Sequence, residues 1–185
     1  MSNAHAQPRL TAMDATAIRR ATTADLAAIQ RLIDDAYEKY IERIGRPPAP
    51  MTADYGAALE HSGVWVLESG GIIVGALVTE TRADHLLLET IAVAPSAQGS
   101  GYGRLLLERA ERDAAESGLA EIRLYTNEAM TENLTFYPRH GYRETGRATE
   151  DGFRRVYFSK AMRHDDVGDL RYRDGGDHFR GGGLA

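Results

Sequence analysis

No cysteine occurs in the 185 residues, which excludes disulfides, thiolate metal sites and a thiol nucleophile for covalent catalysis. Lysine is nearly as scarce. Only Lys39 and Lys160 stand among 22 basic residues, and they follow Glu and Ser rather than forming the Gly-Lys-Ser/Thr of a nucleotide P-loop. There is no Gly-x-Ser-x-Gly elbow and no His-Glu-x-x-His spacing among the six histidines, so serine-hydrolase and zinc-hydrolase chemistry have no local support and no metal is expected. An apolar run of 18 residues is missing, and the N-terminus lacks a signal-peptide h-region; the expectation is a soluble, cytoplasmic chain without membrane contact. A net charge of -5 disfavours a nucleic-acid partner.

What the chain does contain is a polar, Ala-rich arm (1–16), one domain (17–163) and a tail (164–185) holding six glycines, five aspartates and three arginines. The tail has too few apolar side chains to offset its ordering entropy, and reads as solvated or docked on a partner. Within the domain, Ala17 to Ala21 reads as a strand. Thr22-x-x-Asp25 is a capping box before Leu26, Ile29, Leu32, Ile33, Ala36, Tyr37 and Tyr40, which share one helical face. Arg46 to Pro50 breaks that helix, and Thr52 is expected to cap a second one ending at Gly63. Val64 to Leu67 and Ile72 to Thr81 form a hairpin through Ser69-Gly70-Gly71, and Leu86 to Ala94 is a strand buried on both faces. A helix follows over Tyr102 to Ser117, with Leu106, Ala110 and Ala114 inward, a Glu108–Arg112 pair, and Gly118 just past its end. Ile122, Leu124 and Thr126 alternate as a strand. Thr131 to His140 is a short helix, and Glu150-Asp151-Gly152 turns a final hairpin into Arg155 to Met162.

The most informative stretch is Leu86 to Gly103, an apolar strand running into Gln98-Gly99-Ser100-Gly101-Tyr102-Gly103 and then directly into a helix. Glycines allow close backbone approach, first-turn N–H groups have no intrahelical partners, and the helix dipole favours negative charge, so a phosphate-bearing ligand is expected there. A dinucleotide fingerprint would need glycine where Arg104 stands. Gln98, Gly101 and Gly103 instead fill Gln/Arg-x-x-Gly-x-Gly/Ala, which resembles the acetyl-CoA pyrophosphate loop of the GNAT superfamily of N-acetyltransferases. Leu124-Tyr125-Thr126-Asn127, followed by Asn133, Tyr137 and Gly141-Tyr142, resembles the family's second cofactor segment. The order of elements from Ala17 to Met162 also matches.

The resemblance implies an α/β (layered α+β) fold: a mixed, mostly antiparallel sheet of about seven strands flanked by about four helices, with a strand bulge before the pyrophosphate loop. It implies acetyl-CoA as cosubstrate and direct transfer of acetyl to a primary amine of a small molecule or peptide, a homodimer being compatible with it. It places the bulge at Ile91, Ala92 and Val93, the thioester carbonyl near the Val93 N–H, and the pyrophosphate on Gln98, Gly99, Ser100, Gly101, Tyr102, Gly103 and Arg104. Asn133 would bond the pantetheine arm or the helix backbone, and Tyr137 would protonate the CoA sulfur. Pro138, next to it, is a departure that predicts a kink. Glu89, a carboxylate in an otherwise apolar strand, is the candidate base, although several family members place theirs at the position of Leu87. Asp34, Asp35, Glu38 and Glu42 form either a cation-attracting patch or a solvated helix face. Two other classes fit the same residues: a non-catalytic CoA-binding regulator, and a module that recruits a partner through its acidic first helix or its tail.

Overall fold

The computed structural model describes residues 16–162; the expected arm, apart from Thr16, and the expected tail lie outside the described residues. The elements run β1 (Thr16–Arg20), α1 (Leu26–Ile44), α2 (Tyr55–His61), β2 (Gly63–Ser69), β3 (Ile72–Thr81), β4 (Leu86–Val93), α3 (Tyr102–Glu116), β5 (Glu121–Asn127), α4 (Thr131–Arg139), β6 (Arg143–Glu150) and β7 (Phe153–Ala161). One seven-stranded sheet has the order β1-β2-β3-β4-β5-β7-β6. Only the β4–β5 pair is parallel; every other pair is antiparallel. The mixed, mostly antiparallel architecture with four helices is therefore the one expected.

Local chemistry sets the helix boundaries. The Asp25 carboxylate accepts from both the N–H and the hydroxyl of Thr22, at 2.8 and 2.9 Å, and Arg19 of β1 grips the same carboxylate while also bonding Glu68 of β2. The start of α1 is thereby tied to two strands. Its apolar face, Ile29 through Tyr40, is buried on the sheet, and Gly45 ends it at φ 84°. Asp54 rather than Thr52 caps α2, accepting from the Ala57 N–H at 3.0 Å. Thr52 instead closes the preceding 3-10 turn on the Ala49 carbonyl, because a polar side chain two residues further on is better placed to reach the free N–H groups.

One core lies between α1 and the sheet; the other lies beneath α3, where Leu106, Ala110 and Ala114 are fully buried. The expected Glu108–Arg112 pair does not form. Glu108 turns the other way and accepts from Arg104 at 2.8 Å, since both neighbours are four residues distant and Arg112 is drawn inward, leaving its Nε buried without a partner among the described residues.

A polar pin holds α3 to the sheet. Asp113, 8% exposed, accepts from Arg109 (2.6 and 2.9 Å), Trp65 Nε1 (2.8 Å) and the Thr79 hydroxyl (3.0 Å). Trp65 in turn lies between the Arg20 and Arg109 guanidinium groups, 4.2 and 4.3 Å from its ring centroid. Removing the carboxylate would leave the indole N–H without its acceptor, the buried Arg109 guanidinium with only Glu116, and the Thr79 hydroxyl with only a long bond to the Gly63 carbonyl. Asp113→Ala is expected to cost about 3–5 kcal/mol in urea unfolding; a loss under about 1 kcal/mol, the range of an exposed pair, would show that water replaces the pin.

Candidate active site

β4 and β5 share only three residue pairs, ending at Leu88 and Leu124. Beyond that point each strand stays paired on its outer edge, β4 with β3 as far as Val93 and β5 with β7 as far as Asn127, so the two inner edges diverge. The register shows why. Val78 pairs with Thr90 but Thr79 pairs with Leu88, leaving Glu89 as the extra residue of a bulge. The bulge is thus at Glu89 and not at Ile91 to Val93, two residues closer to the start of the strand than expected. The insertion reverses the faces, Leu86 and Leu88 packing on the α3 side and Ala92 on the α1 side, but a strand with apolar residues on both faces carries no mark of that reversal in its sequence.

The diverging edge exposes backbone groups. Ala94 donates its N–H to the Val74 carbonyl of β3, so the backbone groups of Val93 and Ile91 point the other way, into the gap. Side chains partly cover them. The Tyr37 hydroxyl donates to the Ile91 carbonyl at 3.1 Å, and the Gln98 amide donates to the Val93 carbonyl at 3.1 Å. Gln98 therefore ties the loop to the end of β4. The loop then turns through Gly99 and Gly101, both at φ 84°, into α3. Gly103 is needed for a different reason: a Cβ there would stand 3.0 Å from the Phe136 ring. Among the described residues, the N–H groups of 99–103 have no backbone acceptor, leaving a cradle of donors at a helix N-terminus.

Two cavities meet at the gap. The larger, about 550 Å³, is lined by the end of β4, the glycine loop and α4, and includes Ile91, Ala92, Val93, Gln98, Gly99, Gly101, Tyr102, Gly103, Arg104, Asn133 and Tyr137. Of the sequence-predicted cofactor residues, only Ser100 does not line it. The smaller, about 420 Å³, lies between the α1–α2 connection, β4 and β5, and includes Glu89. Tyr37, Ile91, Asn133 and Tyr137 line both. Sequence reading counted Tyr37 and Tyr40 only as part of an inward helix face, and did not single out Phe136 or His140, which also line the larger cavity. A tyrosine on an otherwise aliphatic face was the available signal, because its hydroxyl needs a polar partner when buried.

Tyr137 is 4% exposed and packs among Phe136, Tyr142 and Phe158, ring centroids 5.4–5.8 Å away. Burial raises its pKa well above that of a free phenol, so it stays protonated. Pro138 falls in the last turn of α4, where His140, Gly141 and Tyr142 already bond back to Tyr137 and Pro138 carbonyls. The residue thus ends the helix instead of disturbing its interior. Asn133 is on the wall of the larger cavity with its amide already engaged. Its amide nitrogen donates to the Thr126 hydroxyl at 2.9 Å, pinning α4 to β5 across the gap.

Glu89 lines the smaller cavity without a basic partner within ion-pair distance among the described residues. Partial desolvation, reinforced by the Glu80 carboxylate, raises its pKa. Leu87, the alternative base position, carries no titratable group. Asp34, Asp35, Glu38 and Glu42 line neither cavity and occupy the outer face of α1.

Residues 60–144 match the family model described as an acetyltransferase (GNAT) domain. The solved structures that superpose on the chain include the PaiA N-acetyltransferase of Thermoplasma acidophilum in complex with coenzyme A, at TM-score 0.68 and 15% identity over 80% of this chain and 99% of that one. The IAA acetyltransferase of Bacillus cereus superposes at TM-score 0.60 and 20% identity, over 80% and 100%. The fold is that of the GNAT acetyltransferases. Among curated proteins, the IAA acetyltransferase of Azospirillum brasilense is 30% identical over 83 residues, 44% of this chain and 54% of its own length. N-acetyltransferase 8 of Mus musculus is 28% identical over 109 residues, 56% and 48%. The chain spans about half the length of these relatives. The family model thus covers the part of the chain from α2 to the start of β6, and the likeness of fold to GNAT acetyltransferases extends over 80% of the chain.

The raised pKa of Glu89 has a consequence for stability. The folded state binds this proton more tightly than the unfolded chain, so the associated stability is present at low pH and is lost as pH rises through the folded pKa. Glu89→Gln, neutral at every pH, is expected to melt at or above the parent temperature at pH 8 and to decline less between pH 4 and 8. A variant that melts clearly lower at pH 8 would show that the carboxylate is well solvated or paired.

Proposed function

We propose that this protein transfers an acetyl group from acetyl-CoA directly to a primary amine, with the larger cavity holding the donor and the smaller the acceptor. The observation that carries the reading is the junction of the two cavities, where Tyr37, Ile91, Asn133 and Tyr137 face both. A donor and an acceptor entering from opposite sides would meet there in a near-attack arrangement. The domain runs from about residue 17 to 163, with 1–16 and 164–185 as flanking segments outside it.

Acetyl-CoA supplies the activated acyl group as a thioester. The N–H groups of Gly99 to Gly103 suit its pyrophosphate, with the Arg104 side chain on the cavity wall beside them, and the positive φ of Gly101 is what turns the N–H groups to one side. The inward N–H of Val93 suits the developing oxyanion. Asn133 keeps α4, and with it Tyr137, in register with β5. Glu89 receives the proton of the attacking amine through water, its raised pKa bringing it closer to neutral pH. As the new C–N bond forms and the C–S bond breaks, the Tyr137 hydroxyl donates its proton to the departing sulfur and is reprotonated from solvent. Absence of cysteine leaves no thiol to carry an acyl intermediate. Cytoplasmic residence, a homodimer, and the lack of metal, nucleic-acid and membrane partners belong to the same reading. A non-catalytic CoA-binding regulator would keep the cradle but not need Tyr137 at the junction.

Calorimetry with acetyl-CoA tests the donor site. Gly101→Val is expected to weaken binding at least about tenfold, since a branched residue resists positive φ and its side chain obstructs the N–H cradle; equal affinity, or no binding to the parent protein, would remove the cradle from the reading.

Tyr137→Phe retains ring packing and deletes only the hydroxyl. Its kcat is expected to fall by about 10²-fold to 10⁴-fold with acetyl-CoA affinity unchanged, and initial-rate plots of the parent enzyme should intersect. Parallel lines, or a parental kcat in the variant, would reject direct transfer or this acid respectively.

A further inference from the structure

The acceptor cavity is bordered by two segments that are distant in sequence: the α1–α2 connection (45–54) and the turn between β6 and β7 (150–153). Arg46 joins them. Its guanidinium stacks on the Phe153 ring, 3.5 Å from the centroid, and donates to the Asp151 carbonyl. Gly152, at φ 76°, turns beneath it so closely that a Cβ would stand 3.1 Å from Arg46 Nη2. The connection itself is stiff. Pro47, Pro48 and Pro50 restrict its backbone, and the Tyr55 hydroxyl donates to the Pro50 carbonyl at 2.7 Å. An extended peptide crossing this side of the cavity would have to part the two segments.

Most charges around the cavity are already engaged. Glu80 accepts from Arg82 at 2.5 Å, Asp54 caps α2, and Arg155 bonds Glu150 while lying over the Tyr125 ring. Glu89 alone of the lining carboxylates has neither an ion-pair partner nor a cap to serve among the described residues. The wall on the α1–α2 side is small and apolar, built from Pro48, Ala49, Pro50, Ala57 and Ala58 with the Tyr55 and Phe153 rings, while Thr90, Thr126, Asn127 and Asn133 face it with uncharged polar groups. At about 420 Å³ the space is toward the small end for ligand sites, roughly 300–1,000 Å³.

We propose that the acceptor is a compact monoamine with an apolar or aromatic body, its nitrogen directed to Glu89, and that the Arg46–Phe153 clasp excludes peptide chains and polycations. The inference rests on the acetyl-transfer reading and names its substrate class. Arg46 does not itself line the cavity; it is a positioning residue that holds Phe153 and the proline-rich connection together. A polyamine or aminoglycoside would bring several cations to a wall with one uncompensated carboxylate. A peptide N-terminus would bring a backbone that the clasp blocks.

The test is CoA release by the full chain at saturating acetyl-CoA, read with a thiol reagent to which the protein, having no cysteine, adds no background. The probes are 2-phenylethylamine, spermidine, kanamycin and an unblocked hexapeptide. The expected kcat/KM for 2-phenylethylamine exceeds the others by at least about tenfold, a margin that pocket shape alone can supply. Arg46→Ala, checked for folding by circular dichroism, is expected to raise the KM for 2-phenylethylamine several-fold with kcat and acetyl-CoA affinity retained, and to narrow its margin over the hexapeptide. Arg46→Lys, which keeps the cation over the ring, should recover part of both. Preference for the hexapeptide, spermidine or kanamycin overturns this proposal while leaving acetyl transfer standing, as does an unchanged preference in folded Arg46→Ala. Turnover of no probe by a protein that binds acetyl-CoA overturns acetyl transfer to such amines and this proposal with it.

Discussion

The parting of β4 from β5 after Leu88 and Leu124 is the constraint on which the rest of this molecule depends. A sheet interrupted in its middle would ordinarily lose the backbone bonds on two strands and expose two new edges. Here the outer pairings with β3 and β7 continue past the break, so neither strand comes loose. Side chains from two directions serve the inner edge of β4, Tyr37 from α1 and Gln98 from the loop, while Asn133 of α4 bonds the Thr126 side chain of β5. The gap is consequently rigid without being filled. That combination lets two cavities communicate through the middle of a stable sheet.

Polar groups on the two faces do different work. Beneath α3, Asp113 collects three kinds of donor and is well compensated, a fixture of the fold. Around the gap, compensation is weaker: among the described residues Glu89 forms no ion pair and feels Arg82 only at longer range, and the buried Tyr137 is held by ring packing. Desolvation without a close partner is a common mark of chemistry, because it displaces a group from its solution behaviour. The contrast separates α3's underside, which holds the molecule together, from the junction of the cavities.

Much of this was legible in the residues. The strand, glycine turn and helix of Leu86 to Ser117 carry strong local signals, with apolar runs, glycines at required backbone angles and a 3.6-residue period, and they appear where expected. The bulge was legible in kind but not in place, since inserting one residue into an apolar strand hardly alters its composition. Thr52 and Asp54 are both good caps, and only the path of the preceding prolines selects the second. Glu108 had two arginines at equal helical spacing, and tertiary packing decided between them. The second cavity was least legible of all, as its walls come from residue 37 and from residues 44–62, 78–91, 125–137 and 153–155, brought together only by the fold of the whole sheet.

Trp65, the single tryptophan of the chain, sits between two guanidinium groups against α3 and lines neither cavity. Its emission therefore follows the docking of α3 on the sheet and is insulated from occupancy of the cleft. Indole fluorescence is thereby a reporter of whether the scaffold is assembled, set apart from Tyr37 and Tyr137, the two tyrosines that face both cavities.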